Sequence, residues 1–213
     1  MGSWLQNLTA KLRPATAEPA SGIDTRTTRT SLALEQFIPS LTEVDHPSVL
    51  DLGCVWQSTV TFFTQAGCKL YAEDLFNALS LARAETSPEA LPLAQRFLAG
   101  VLRHPRENFR GILAWDLFDY LPEELVEPVA ARLYELLEPE GMLLLLCHKR
   151  PEGTSFTRYR VLNARTLELL PGSLPLSVER TYANRALLNL FAAFRSARNF
   201  VGRDNLRELF LTK

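Results

Sequence analysis

Two aspartates lie at the ends of short apolar runs, where a carboxylate can bind the hydroxyl groups of a nucleotide. Asp51 lies in the run 49–53, which ends in Gly53, and Asp74 closes the run 69–74, 23 residues further on. In nucleotide-binding α/β folds, a glycine turn lets the backbone approach the ligand, and an acid at about this distance accepts hydrogen bonds from ribose. The spacing indicates a nucleotide site. Alternatively, Asp51 only holds the glycine turn, and Asp74 caps the helix that follows it.

A second group of polar residues follows two later apolar runs and could transfer a proton. Trp115 ends the run 111–115, Asp116, Asp119 and Tyr120 follow it, and His148 follows the run 142–147. Carboxylate, phenol and imidazole are the groups that serve as general bases. Asp119, Tyr120 and His148 are therefore candidates for catalysis. The alternatives are core packing for the aromatic residues and solvated loop positions for the two carboxylates.

The elements that must position these residues alternate between strand-like and helix-like patterns. Four short apolar runs, at 49–53, 69–74, 111–115 and 142–147, are separated by amphipathic stretches at 58–66, 75–85 and 123–137. Apolar runs without polar alternation, divided by helices, are typical of a parallel sheet that is covered on both faces. Two more strands are predicted at 176–180 and 206–211, around a helix near 184–195. The pattern predicts an α/β fold.

Five stretches in this order carry a resemblance to a known family. They are 49–54, 66–75, 109–121, 136–145 and 203–211. Together they resemble the class I S-adenosylmethionine-dependent methyltransferases. The resemblance covers about 45–213. It implies a Rossmann-like, doubly wound, mostly parallel sheet of seven strands whose final strand is antiparallel, with the cofactor at the carboxyl ends of the first strands.

The resemblance also implies roles for particular residues. Asp51, Gly53 and Cys54 would shape the turn under the methionine part of S-adenosylmethionine, and Asp74 would bind the ribose. Trp115 and Asp116 would border the methionine end and the methyl acceptor, which we expect to be a small molecule. Because methyl transfer from a sulfonium is an in-line displacement, positioning supplies most of the catalysis. A base is needed only where the acceptor must lose a proton.

The sequence departs from the family at the glycine-rich turn. Val55 and Gln57 replace the two later glycines, and Trp56 is large enough to occupy part of a small-molecule pocket. Valine does not readily adopt positive φ, and its side chain stands where close approach of the backbone is wanted. The alternative function is therefore that of a catalytically inactive, methyltransferase-like protein that serves as a binding or partner subunit.

The domain organisation follows from the composition along the chain. Residues 4–12 have apolar side chains at helical spacing, and 13–30 are rich in Pro, Ala, Thr and Ser. We predict a short helix and a flexible linker over 1–30, followed by one α/β domain over 31–213. Ser31 is the expected cap of the first helix of that domain.

Charge and cysteine content limit the partners. The first 148 residues carry 11 basic and 19 acidic side chains, and the last 65 carry 12 and 5. The arginines of the last 65 residues are interleaved with apolar residues, so we interpret this segment as packing beside the acidic part rather than binding nucleic acid.

Three widely spaced cysteines indicate a reducing, cytoplasmic location. The three histidines lack metal-ligand spacing, and no apolar run is long enough to span a membrane.

Overall fold

Nine strands form two separate sheets in the computed structural model, which describes residues 27–213 apart from 86, 88 and 152–154. The strands are β1 (Thr27–Thr30), β2 (Ser48–Asp51), β3 (Lys69–Ala72), β4 (Phe109–Trp115), β5 (Leu137–His148), β6 (Thr157–Asn163), β7 (Thr166–Pro171), β8 (Ser196–Val201) and β9 (Leu206–Thr212). The larger sheet has the order β3-β2-β4-β5-β9-β8, and the smaller has the order β1-β7-β6.

The strands of the larger sheet run in the predicted relative directions. β3, β2, β4 and β5 are mutually parallel, and β9 pairs antiparallel with β5 and with β8. The prediction of a mostly parallel sheet with an antiparallel final strand is confirmed. Parallel strands end at the same edge of a sheet, so the ends of β2, β3, β4 and β5 bring the candidate site residues together.

The sheet has six strands among the described residues, not the seven expected. β3 is an edge strand, because the described residues between the helix that ends at Gly100 and β4 form no further strand. The main-chain N–H of Leu102 donates instead to Glu73 Oε1 at 2.7 Å, and Leu102 has a φ of 56°. A backbone in the left-handed region does not continue a ladder.

Seven helices of the described residues connect or cover the strands. They are α1 (Leu32–Leu41), α2 (Gln57–Gln65), α3 (Leu75–Ala84), α4 (Leu93–Gly100), α5 (Leu117–Tyr120), α6 (Glu123–Leu136) and α7 (Asn184–Leu190). Ser31 caps α1 as predicted, since its Oγ accepts a hydrogen bond from the N–H of Leu34 at 3.0 Å. α1 buries Leu34, Phe37 and Leu41 at helical spacing. Phe37 approaches so closely that a Cβ on Gly111 of β4 would lie 2.5 Å from its ring.

The smaller sheet is the main feature that the sequence did not predict. β1 occupies 27–30, within the stretch assigned to the linker, and the segment 176–180, expected to be a strand, is not one. The short helix expected at 4–12 lies outside the described residues. β6 packs on α2, where the N–H of Val161 donates to Thr59 Oγ1 at 3.2 Å. With β6 held on α2, the first residues of β6 lie next to the turn that follows β2.

Ion pairs join the basic C-terminal part to the acidic part. Arg165 lies 3.7 Å from Glu35, Arg180 pairs with Glu123, and Arg195 pairs with Glu140 through both guanidinium ends. The interpretation that this segment packs beside the acidic part is confirmed. In the described ranges, no helix combines the length and apolar character needed to cross a bilayer.

Candidate functional site

The turn after β2 is organised by the Asp51 carboxylate. Asp51 Oδ1 accepts hydrogen bonds from the N–H of Gly53 at 2.9 Å and from Trp115 Nε1 at 2.6 Å. Burial raises the pKa of Asp51 to about 6, and the two hydrogen bonds oppose this shift. Asp51 therefore holds the turn and also ties it to the end of β4.

Gly53 is required by a side chain that lies against it. A Cβ built on Gly53 would lie 2.7 Å from Cδ1 and from Nε1 of Trp115. Real Cβ atoms do not approach that closely, so the indole occupies the space that glycine leaves open. The Trp115 ring therefore packs on the glycine turn, at the position where the resemblance implies S-adenosylmethionine.

The backbone of β4 directs Trp115 toward this turn. Trp115 has a φ of 49°, and the pairing of β4 with β5 shifts register between Leu113 and Trp115. A register shift of this kind re-aims a side chain near the end of a strand. The indole, which is 1 % exposed, stacks on Tyr159 of β6 with the centroids 5.4 Å apart and the planes at 12°. Tyr159 donates its hydroxyl to Asp116 Oδ2 at 2.9 Å.

A small cavity remains at the ends of β2 and β3. Its volume is about 10 Å³, and its lining consists of the turn after β2, the cap of α3, the end of β4 and the beginning of β6: Gly53, Cys54, Asp74, Phe76, Trp115, Phe156, Thr157, Arg158 and Tyr159. Such a volume holds about one water molecule, whereas ligand pockets measure roughly 300–1,000 Å³. In this conformation the chain's own aromatic side chains fill the space at the end of β2.

Val55 and Trp56 are not the residues that fill this space. Val55 is half exposed, and the ring of Trp56 lies under the Arg160 guanidinium, 5.5 Å from its carbon. Neither residue lines the cavity. The expectation that Trp56 occupies part of the pocket is wrong, because its ring lies against Arg160 of β6 and outside the lining of the cavity.

Asp74 and Cys54 lie on the outer wall of the cavity. Asp74 caps α3, since its Oδ1 accepts a hydrogen bond from the N–H of Asn77 at 2.9 Å. The capping interpretation is therefore confirmed, and it leaves the second carboxylate oxygen for another partner. Cys54 Sγ lies 3.8 Å from Arg158 Nη1, and burial raises the pKa of Cys54, which keeps its thiol protonated.

The four remaining candidates form a second cluster at the ends of β4 and β5. Asp119 Oδ2 accepts the N–H of His148 at 2.6 Å and lies 2.9 Å from His148 Nδ1. Asp116 Oδ2 lies 3.9 Å from the same ring nitrogen, and the Tyr120 ring packs edge-on against the imidazole. Asp116 and Asp119 are fully buried. The alternative of solvated loop carboxylates is wrong.

Burial dominates the electrostatics of this cluster. It raises the pKa of Asp116 to about 7, helped by the charge of Asp119 and opposed by that of His148, and it raises the pKa of Asp119. Burial alone would lower the pKa of His148, but its hydrogen bond to Asp119 and the nearby carboxylates raise it. Burial and both carboxylates raise the pKa of Tyr120. Because these groups interact closely, they titrate as a coupled cluster rather than as separate residues.

Three buried oxygens of the cluster have no hydrogen-bond partner among the described residues. They are Asp116 Oδ1, Asp119 Oδ1 and the Tyr120 hydroxyl. An unpaired buried oxygen costs free energy unless water or a ligand group satisfies it. No group of three potential metal-ligating side chains occurs in the described part of the chain. The cluster has the donors and acceptors of a proton-transfer site.

The sequence thus located both clusters but missed the side chains that cover the first. Asp51, Gly53 and Trp115 come together, as do Asp119, Tyr120 and His148, while Phe156, Arg158 and Tyr159 were not predicted. The only indication in the sequence is that aromatic and basic residues lie close together over 156–160. Such a mixture has no strict period and does not reveal what the segment packs against.

Comparison with known proteins shows the fold. No protein-family model and no curated protein matches the chain. A SAM dependent methyltransferase from Archaeoglobus fulgidus matches with a TM-score of 0.51 and 11 % identity over 84 % of this chain and 91 % of that chain. The chain therefore has the Rossmann-like fold of S-adenosylmethionine-dependent methyltransferases, as predicted.

Two further solved structures are similar at lower TM-scores. A putative type 11 methyltransferase from Sulfolobus solfataricus has a TM-score of 0.48 and 16 % identity over 84 % of this chain and 90 % of its own. The 1,6-didemethyltoxoflavin-N1-methyltransferase of Burkholderia thailandensis, with bound 1,6-didemethyltoxoflavin and S-adenosylhomocysteine, has a TM-score of 0.47 and 20 % identity over 85 % and 77 %.

Proposed function

We propose that this protein is an S-adenosylmethionine-dependent methyltransferase that acts on a small-molecule acceptor. The observation that carries the proposal is the arrangement of Gly53 and Asp74, which line one cavity at the carboxyl ends of adjacent parallel strands. Ligands of open α/β sheets bind at this edge. The fold supports the same conclusion, since its solved members include methyltransferases of this class.

The proposed site residues divide between the two clusters. Asp74 would bind the ribose with its uncapped oxygen, and the cofactor's methionine part would lie near Asp51, Gly53, Cys54, Trp115 and Asp116. Asp119 or His148 would accept a proton from the acceptor, and the Tyr120 phenol, which its raised pKa keeps protonated, would act as a hydrogen-bond donor. In this conformation, however, the site does not fit the cofactor, because the rings of Trp115 and Tyr159 fill the space at the end of β2 where the cofactor would lie.

The magnitude of this obstruction can be estimated from Tyr159. A buried tyrosine removes about 150–250 Å² from water, worth about 4–6 kcal/mol at about 25 cal/mol per Å². Losing the hydrogen bond to Asp116 adds about 1–3 kcal/mol. Even the lower end of this sum, about 5 kcal/mol, weakens the apparent affinity about 10³- to 10⁴-fold. We therefore expect weak cofactor binding by the protein as folded.

The proposal is tested by calorimetric titration with S-adenosylhomocysteine at millimolar concentration. We expect a weak saturable signal that Asp74→Asn weakens by about tenfold, since a charged hydrogen bond to ribose is lost. Glu43→Gln, which neutralises an exposed carboxylate beyond α1, is the control and leaves the affinity unchanged. A signal that Asp74→Asn does not change would contradict the ribose-binding role.

A second candidate function is supported by the filled cavity. A methyltransferase-like protein whose cofactor space is taken by its own side chains would act as a binding or partner subunit without catalysis. The replacement of two glycines by Val55 and Gln57 favours it as well. This candidate predicts that no variant which empties the cavity binds S-adenosylhomocysteine, whereas methyl transfer requires that such variants bind it.

A further inference from the structure

Together with Trp115 and Phe76, one short segment closes the cavity, Phe156 to Tyr159 at the beginning of β6. We propose that this segment is an autoinhibitory plug, which occupies the cofactor position and must withdraw before S-adenosylmethionine enters. The inference rests on the proposed function, and it adds a conformational step to it. A sheet outside the methyltransferase-like sheet supplies the plug.

The aromatic rings of the plug replace contacts that a nucleoside would make. Tyr159 lies parallel to Trp115, as a planar base does on an aromatic ring. Phe156 packs against Phe76 and Tyr120, with centroids 5.4 and 5.7 Å apart. These contacts are between side chains, while the main-chain ladder of β6 pairs with β7. The rings can therefore leave without breaking the larger sheet.

The outer wall of the cavity offers a route for that movement. Cys54, Asp74, Thr157 and Arg158 are only partly buried, and Arg158 bridges the opening with contacts of 3.8 Å to Cys54 and 3.4 Å to Ser173. The aromatic rings of the plug are buried, and its polar residues Thr157 and Arg158 form the partly exposed side that faces solvent. Further along β6, the contact of Val161 with Thr59 anchors the strand to α2.

The first experiment measures S-adenosylhomocysteine binding after truncation of the plug. Tyr159→Ala removes the stacked ring, and we expect it to tighten binding by about 10³-fold relative to the wild type, in line with the obstruction estimated from Tyr159. Tyr159→Phe keeps the ring in place and is expected to tighten binding by less than about tenfold. Tyr134→Ala truncates a tyrosine that packs on Phe194, away from the cavity, and serves as the matched control.

The second experiment uses the fluorescence of Trp115 to detect whether the plug covers it, first with the plug residues unchanged. The chain has three tryptophans, so the double substitution W4F/W56F leaves Trp115 as the only one. We expect blue-shifted emission that acrylamide hardly quenches, because Tyr159 covers the indole. Saturating S-adenosylhomocysteine should change the emission, and Tyr159→Ala in this background should make Trp115 quenchable. Phe156→Ala provides a second opening variant if Tyr159→Ala does not fold.

The outcomes separate the plug from the proposed function. Equal and tight binding by the wild type and Tyr159→Ala would overturn the plug and leave the cofactor role in place. Folded opening variants with a quenchable Trp115 that still bind nothing would overturn the cofactor role and, with it, the gating role of the plug. Opening variants in which Trp115 stays protected would show that Tyr159 does not cover the cavity.

Discussion

The ends of β2 and β4 are two regions of one sheet edge that are closed in different ways. Around Gly53, uncharged rings stack on one another, and the cavity that they leave holds about one water molecule. Around Asp119, ionisable side chains bond to each other and leave three oxygens unpaired. The first region can open at the cost of apolar contacts and of the hydrogen bond from Tyr159 to Asp116, whereas opening the second separates a buried ion pair.

The largest effect is expected in the second region. Asp119→Ala leaves the N–H and the ring of His148 without their acceptor, and we expect a loss of about 3–5 kcal/mol in the free energy of unfolding, measured by urea denaturation. Asp119→Asn keeps one oxygen for the main-chain N–H and should lose less than half as much. Equal, small losses for both variants would show that the cluster is not a coupled network.

The next prediction concerns Asp51 in the first region and the pH dependence of the free energy of unfolding. Because burial raises the pKa of Asp51 to about 6, the folded protein keeps a proton that the unfolded chain loses near pH 4. The Asp51 contribution therefore lowers stability as the pH rises from about 4 to 6, and it levels off above that window. The change is at most about 1.4 kcal/mol per pH unit for one group.

The variant that isolates this contribution is Asp51→Asn. Both hydrogen bonds of Asp51 are accepted by Oδ1, so the amide oxygen can accept both while the charge is removed. We expect Asp51→Asn to gain roughly 2–3 kcal/mol relative to the wild type between pH 4 and 6, as measured by denaturation at a series of pH values. A constant difference across that range would show that Asp51 titrates with its ordinary pKa.

The close contact of the indole with the glycine turn predicts a somewhat smaller effect. Gly53→Ala places a methyl group 2.7 Å from the Trp115 ring and should destabilise the fold by about 1–3 kcal/mol in thermal or urea unfolding. The control is Gly100→Ala, because a Cβ at Gly100 meets nothing within 4 Å. If both substitutions had the same effect, the packing of Trp115 on Gly53 would be looser than described.

The smallest effect separates the two roles of Asp74. Asp74→Ala removes the cap of α3 and should cost about 1 kcal/mol in unfolding free energy, whereas Asp74→Asn retains a capping oxygen and should cost only a few tenths. Both variants should weaken S-adenosylhomocysteine binding if the carboxylate charge matters. Loss of stability without loss of binding in Asp74→Ala would restrict Asp74 to capping.

The parallel half of the sheet was predictable because its strands are fully buried. Runs such as 142–147 are apolar without interruption, and the structure buries every residue from Met142 to His148. Burial on both faces is what a parallel sheet imposes, so hydrophobicity alone located these strands. The sequence could not show that the seventh strand is missing, because the segment at 101–103 contains Val and Leu, which are compatible with a strand. The hydrogen bond from the Leu102 N–H to Glu73 shows that its backbone does not pair with β3.

The chain's residue pattern determined by itself the order of strands and helices and the residues that meet at the carboxyl edge, since these follow from local periodicity and the direction of parallel strands. Only the tertiary structure decided what occupies that edge. Tyr159 and Trp115 are 44 residues apart in the chain and belong to different sheets, and no local pattern encodes their stacking. Whether a glycine turn holds a ligand or an indole depends on such long-range packing, which periodicity does not specify.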